Sequence, residues 1–418
     1  MQLLTIVPHF LLFTTASLAM VWPNHASSRN SDPWLSKHHE QIDLVKPNLL
    51  VLNFANPTLG SQRAENLVNT IIAGFAEGSR YHGYEPGSKA KPQLMYQIVK
   101  FVNLRDGDPG FPLASSDYPF QNSHQYPRKA PDAPGVWRFD YAALYNSTYA
   151  AWAGFNDEST GQPLGLCELV NRGIINELWI VGSGDVEDVN GAEVLELKQN
   201  YDDSGNKIPN SFNRCAGNGC FDEDVPNCGR SLRIGWVNYN RGPGCYMHSH
   251  GHGIEWAAGR NGNIPQWSKW FVPFARFDLD LPPLNLPFQN LYGVGCDATA
   301  CVEHPTPTSA IFHNGGQLIQ KDDIDFVCGN VHFPPNGRSH YDYANFDQSV
   351  LSSCTSYGKK RVEKVSLDAT AWNFYDSIYG DCGGGFLTWW YQNMPWQGSK
   401  SANPDGSTML SPGPFLFY

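Results

Sequence analysis

The chain has few basic residues, 29 Lys and Arg against 40 Asp and Glu, for a formal net charge of −11. They form no cluster, which argues against nucleic acid or an anionic membrane as the main partner. Beyond its first 19 residues it lacks any apolar run near the roughly 20 residues a membrane span needs, so the mature protein is expected to be soluble. It has no G-x-G-x-x-G or P-loop motif, which removes the standard phosphate cradles, and no G-x-S-x-G elbow for a serine nucleophile. Gly182-Ser-Gly-Asp185 lacks that elbow's spacing. Cysteine is missing before position 167, and none of the ten cysteines forms a C-x-x-C pair, which disfavours a thiolate zinc site. Repeats and low-complexity tracts are absent.

Residues 1–19 are apolar and uncharged and end with Ser17 and Ala19 at the −3 and −1 positions of a cleavage site, as in a secretory signal peptide. An even number of cysteines in an exported chain favours disulfides, with the pairing left open. Asn146-Ser-Thr148 is the one N-glycosylation sequon. The expected product is a secreted, extracellular, disulfide-bonded glycoprotein.

Hydrophobic content of 41% and aromatic content of 13% support a sizeable core, while 40 Gly and 30 Pro imply many turns. Residues 20–46 read as a polar N-terminal arm. Leu49–Phe54 is a short continuous apolar run, the mark of a strand buried on both faces. Ala64–Phe75 has apolar residues at helical spacing, Gln93–Val102 reads as a strand, Pro163–Asn171 as a helix, and Ile174–Val181 and Leu232–Val237 as strands. This alternation predicts an α/β fold with a largely parallel sheet and flanking helices over 47–260. Residues 261–418 read as a loop-rich, disulfide-tied elaboration. Within it, Phe271–Phe277 and Leu281–Phe288 look like extended segments. Ligands of such sheets bind beyond the carboxyl ends of the strands, which predicts that Asn53/Asn56, Ser183/Asp185/Glu187 and Asn238–Glu255 converge on one crevice.

The densest chemistry lies in Tyr239–Trp256, which holds His248, His250, His252 and Glu255. On a helix, His248, His252 and Glu255 fall at i, i+4 and i+7 and share one narrow face, with His250 opposite. Two imidazoles and a carboxylate on one face make a divalent-metal half-site, with zinc the expected cofactor. Gly251 and Gly253 oppose this reading, since each costs a helix interior about 1 kcal/mol relative to Ala. A further ligand or catalytic imidazole is expected from Cys328–Gly337, at His332, or from His340, with Asp342 as a nearby carboxylate. Pro334-Pro-Asn-Gly337 also reads as plain turn chemistry. The zincin pattern H-E-x-x-H fails here because Ser249 stands where its glutamate belongs. His252-Gly-Ile-Glu255 with a distant His332 resembles the ligand order of zinc carboxypeptidases.

The blocks Ile175–Ile180, Asn238–Gly242, Gly251–Glu255, Gly329–Gly337 and Trp389–Pro395 together resemble a family of exported microbial proteins with no assigned activity. The resemblance spans about residues 48–396. It implies that these blocks act as one site and implies no reaction.

Three functions are therefore expected in turn. The first is a metal-dependent hydrolase of extracellular peptide or glycan, with His248, His252 and Glu255 as metal ligands, His332 catalytic or ligating, and Asp185 or Glu187 as general base. The second is a metal-independent glycan-active enzyme, using a carboxylate pair about 5–10 Å apart drawn from Glu177, Asp185, Glu187, Glu255 and Asp342. For it, Trp389-Trp-Tyr391 and Trp396 would form an exposed sugar platform. The third is a non-catalytic binding protein.

Overall fold

A computed structural model of the chain describes residues 20–23, 32–54, 61–81, 89–104, 127–129, 137–182, 194–217, 224–259, 261–281, 286–287, 301–314, 316–359, 361–396 and 400–417. Its centre is a six-stranded mixed sheet. The strands are β1 (Asn48–Asn53), β2 (Gln97–Asn103), β3 (Glu177–Gly182), β4 (Val194–Tyr201), β5 (Lys207–Asn213) and β6 (Leu232–Asn238), in the order β2-β1-β3-β6-β4-β5. The pairs β1–β2, β1–β3 and β3–β6 are parallel, while β6–β4 and β4–β5 are antiparallel. The expected α/β class with a largely parallel sheet is what the chain forms.

The apolar run in β1 is a run because both faces of the sheet are covered. Leu49 and Val51 enter one core together with Trp179, Val181 and Val237. Leu50 and Leu52 enter the other with Leu178, Ile180 and Ile234, as the two-residue period of a strand requires. The second core is closed by helices Ser147–Ala153 and Leu166–Asn171. Asn146 caps the first of these, its Oδ1 accepting from Tyr149 N at 3.0 Å.

Four longer helices serve the first core: α1 (Ser61–Gly78), α2 (Pro243–Ala258), α3 (Pro265–Phe274) and α4 (Gly384–Gln392). In α1, Ala64, Val68, Ile71 and Phe75 form a fully buried stripe, the amphipathic pattern legible in the sequence. The α4 helix is buried all round, with Trp390 and Tyr391 near zero exposure.

Several expectations are corrected. Within the proposed arm, Met20–Trp22 and Ile42–Val45 pair as parallel strands, helix Asp32–His38 lies between them, and Trp22 is wholly buried. Phe271–Phe274 belongs to α3 rather than to an extended segment, because Trp267, Trp270, Phe271 and Phe274 lie on one buried face. Pro273 sits inside the last turn, where its ring removes one intrahelical N–H donor that the buried aromatic face outweighs. The helix read over Pro163–Asn171 starts at Leu166. Trp389, Trp390, Tyr391 and Trp396 are buried, so they pack the core and form no exposed sugar platform.

Disulfides join Cys167 to Cys228, Cys245 to Cys382 and Cys328 to Cys354. Cys215 and Cys301 are disulfide-bonded as well. No helix among the described residues is long and apolar enough to cross a membrane. Residues 1–19, Asn56, Ser183, Asp185 and Glu187 lie outside the described residues.

Candidate metal centre

Strand β6 ends beside β3: Asn238 is in register with Gly182, and Tyr239 N donates to Gly182 O at 3.0 Å. The chain then turns into α2, with Pro243 in its first turn, where a missing N–H costs nothing. Asp381 closes that helix end from a distant segment, its carboxylate accepting from Gly242 N at 2.7 Å and Gly244 N at 2.9 Å.

The two glycines that weaken the helix on propensity allow close approach on both of its sides. A Cβ on Gly251 would stand 2.7 Å from Val331 Cγ2, and one on Gly253 would stand 2.5 Å from Glu196 Oε2. Helix α2 therefore forms through tertiary packing against its intrinsic preference.

On the Gly251 side, residues 328–333 are pinned at several points. The Cys328–Cys354 disulfide holds one end. Trp390 Nε1 donates to Gly329 O at 3.0 Å, Val331 N donates to Glu255 Oε1 at 2.9 Å, and Tyr343 Oη donates to Val331 O at 2.5 Å. This brings His332 to α2, 80 residues on from His252.

Three imidazoles meet there. His252 Nε2 lies 3.2 Å from His248 Nε2 and 3.1 Å from His332 Nε2. His248 Nδ1 sits 3.1 Å from the Cys382 carbonyl and His252 Nδ1 sits 2.8 Å from Glu255 Oε2. Both of these partners accept, so each Nδ1 carries a hydrogen, and in the neutral ring each Nε2 then turns a lone pair inward. Burial, and next the neighbouring His252, lower the pKa of His248 to about 3 and of His332 to about 2. Both are therefore neutral at pH 7, the form that ligates.

Lone pairs this close repel each other unless a cation stands between them. Tetrahedral zinc with Zn–N of about 2.0–2.1 Å sets its nitrogens about 3.3 Å apart, close to the separations found here. The three ligating atoms lie within 4.8 Å of one another. The donor set fits a three-histidine site with one coordination position left open.

The expected ligand set changes in one member. Glu255 does not join the nitrogen cluster. Its two oxygens face His252 Nδ1 and Val331 N, so it orients a ligand and pins the segment that delivers another. The third imidazole is His332. His340 is set back, its ring 5.3 Å from that of His332.

The other expected residues go elsewhere. His250 turns away, as the spacing predicts, and is wholly buried. It lies between Arg233 Nη1, which donates to its Nε2 at 2.9 Å, and Tyr391 Oη, 3.2 Å from its Nδ1. Arg233 is also paired with Glu177 and with Glu196, which commits Glu177 to a buried ion network beneath the sheet. Asp342 accepts from Arg338 N at 2.8 Å, and Asn53 donates to Asn103 Oδ1 at 2.8 Å. None of Glu177, Asp342 and Asn53 lines the cleft at the histidines; of the clusters expected to converge, the segment after β6 reaches it, Asn53 does not, and Ser183, Asp185 and Glu187 lie outside the described residues.

That cleft has a volume of about 630 Å³ and includes Arg241, Tyr341, Tyr343 and the Cys245–Cys382 disulfide in its walls. The second close group of potential ligands, Cys245, Asp381 and Cys382, contains this disulfide, so its sulfurs are not thiolates. Sequence reasoning missed Asp381 and the Cys382 carbonyl. A backbone acceptor leaves no residue signature, and Asp381 acts across 137 positions on Gly244. Compared with known proteins, the chain matches no family model and no curated protein.

Proposed function

We propose that the chain is a secreted metal-dependent hydrolase, with zinc held by His248, His252 and His332 and its substrate an extracellular peptide or glycan. The observation that carries this reading is the convergence of three imidazoles whose Nε2 atoms meet, two of them with Nδ1 tied to an acceptor. An ion there supplies a Lewis acid that acidifies water and polarises a substrate oxygen. The cleft gives a substrate access to the three histidines. Asp185 or Glu187 is the general base in this reading. Both follow Gly182 in sequence, and its carbonyl accepts from Tyr239 N just ahead of the histidine helix. The disulfides and the apolar leader at 1–19 support export.

The test is elemental analysis of the mature protein purified without chelator, wild type beside His252→Ala. Stoichiometric zinc that vanishes in the variant supports the reading and justifies a screen of peptidase, esterase and glycan substrates. Absence of metal from wild type after incubation with zinc would refute it.

A further inference from the structure

Tyr341 is placed against its own conformational preference. Its backbone φ is +62°, in the left-handed region that a bulky aromatic residue rarely adopts. The residue is 53% exposed, and its ring also meets the rings of His340 at 6.0 Å and Tyr343 at 6.1 Å. The conformation is held from both sides: Tyr341 N donates to His332 O at 3.0 Å, and Tyr343 N donates to Tyr341 O at 2.9 Å. The first bond ties the strained residue to one of the three clustered histidines. It sets the Tyr341 ring 4.5 Å from the His332 ring and 5.7 Å from the His248 ring, nearly parallel to the latter at 27°. Strain kept at a half-exposed cleft wall points to use by a ligand.

We propose that Tyr341 is a substrate-binding residue whose ring forms a stacking wall beside the three-imidazole centre and receives a planar aromatic group of the ligand. This rests on the metal-centre reading and deepens it. Stacking requires a flat partner. Both an aromatic ring and the apolar face of a pyranose are flat, and the cleft favours the first. Among the described residues its lining offers sugar hydroxyls Arg241 but no carboxylate or side-chain amide, the proposed base Asp185 or Glu187 apart, while Tyr343 adds a second aromatic wall. An ester, amide or related bond that places an aromatic ring close to the reacting carbonyl fits this geometry.

The probes are two zinc-binding acids, acetohydroxamic and benzohydroxamic, titrated by calorimetry into zinc-loaded wild type, Tyr341→Phe and Tyr341→Gly. The preference for the phenyl compound should survive in Tyr341→Phe and fall about fivefold in Tyr341→Gly, with zinc content equal in all three. Glycine adopts the left-handed conformation without strain, so the melting temperature of Tyr341→Gly should not fall. An unchanged phenyl preference in Tyr341→Gly would overturn the inference. So would equal losses in the two variants, which would assign the role to the hydroxyl, or a melting temperature several degrees lower in Tyr341→Gly, which would assign the ring to packing. Displacement of benzohydroxamate by methyl β-glucoside would replace the aromatic group with a pyranose. Zinc retained without any phenyl preference would refute this inference alone, whereas failure of wild type to hold zinc would refute the metal reading beneath it.

Discussion

Glu255 Oε2 lies 2.8 Å from His252 Nδ1, one helical turn along α2, while its other oxygen accepts from Val331 N at 2.9 Å. One carboxylate thus sets the tautomer of one histidine and anchors the segment that carries another. Glu255→Gln keeps the shape and removes the charge. Since partners of this kind are worth about 10–100-fold in metal affinity, zinc binding should weaken by about that factor in a chelator competition. An unchanged affinity would leave Glu255 a purely structural role.

The two depressed histidines make the metal-free protein acid-sensitive. Their folded pKa values, about 3 for His248 and about 2 for His332, lie below the ordinary value of 6.5. Between those limits the unfolded chain binds more protons, so stability rises with pH and is lost as pH falls through that window. The melting temperature of chelator-treated protein should drop between about pH 6.5 and pH 4. His248→Gln and His332→Gln should each flatten the slope, read by calorimetry at constant ionic strength.

Gly251→Ala pits helix propensity against packing. Alanine favours a helix interior by about 1 kcal/mol, yet its Cβ would meet Val331 Cγ2 at 2.7 Å. Val331 is fully buried and held at both N and O, so it yields little. We expect a net loss of about 1–3 kcal/mol, the usual cost of overpacking, and weaker zinc binding as His332 moves outward. A melting temperature above wild type would show that the segment relaxes freely.

The Cys245–Cys382 disulfide closes 137 residues and ties the first turn of α2 to the loop whose carbonyl accepts from His248. On the chain-entropy account a loop of that length is worth about 5 kcal/mol. The double variant Cys245→Ser with Cys382→Ser should melt well below wild type and lose zinc affinity together with stability. Equal zinc affinity in a folded double variant would show that Asp381 and packing alone hold the loop.

Much of the scaffold was legible because its signals are local. The β1 run and the α1 stripe are periodicities, and both faces of β1 and the buried face of α1 follow from them. The placing of His248 and His252 on one side of α2, with His250 on the other, is helical arithmetic. Where composition replaced periodicity, the reading failed: Trp22 and the strands around it are hidden in a polar stretch, and the C-terminal tryptophans look identical in sequence whether exposed or buried.

Spacing along single elements was enough to specify the layered α/β architecture, the helical face that presents two imidazoles, and a short list of partners for them. Long-range packing, in contrast, selects His332 rather than His340 to complete the group, turns Glu255 to His252 Nδ1 rather than toward the cluster, and brings Asp381 and the Cys382 carbonyl to support α2. Those choices rest on contacts between residues tens to more than a hundred positions apart and on side-chain rotation within one turn, and neither is encoded in the period of any single segment.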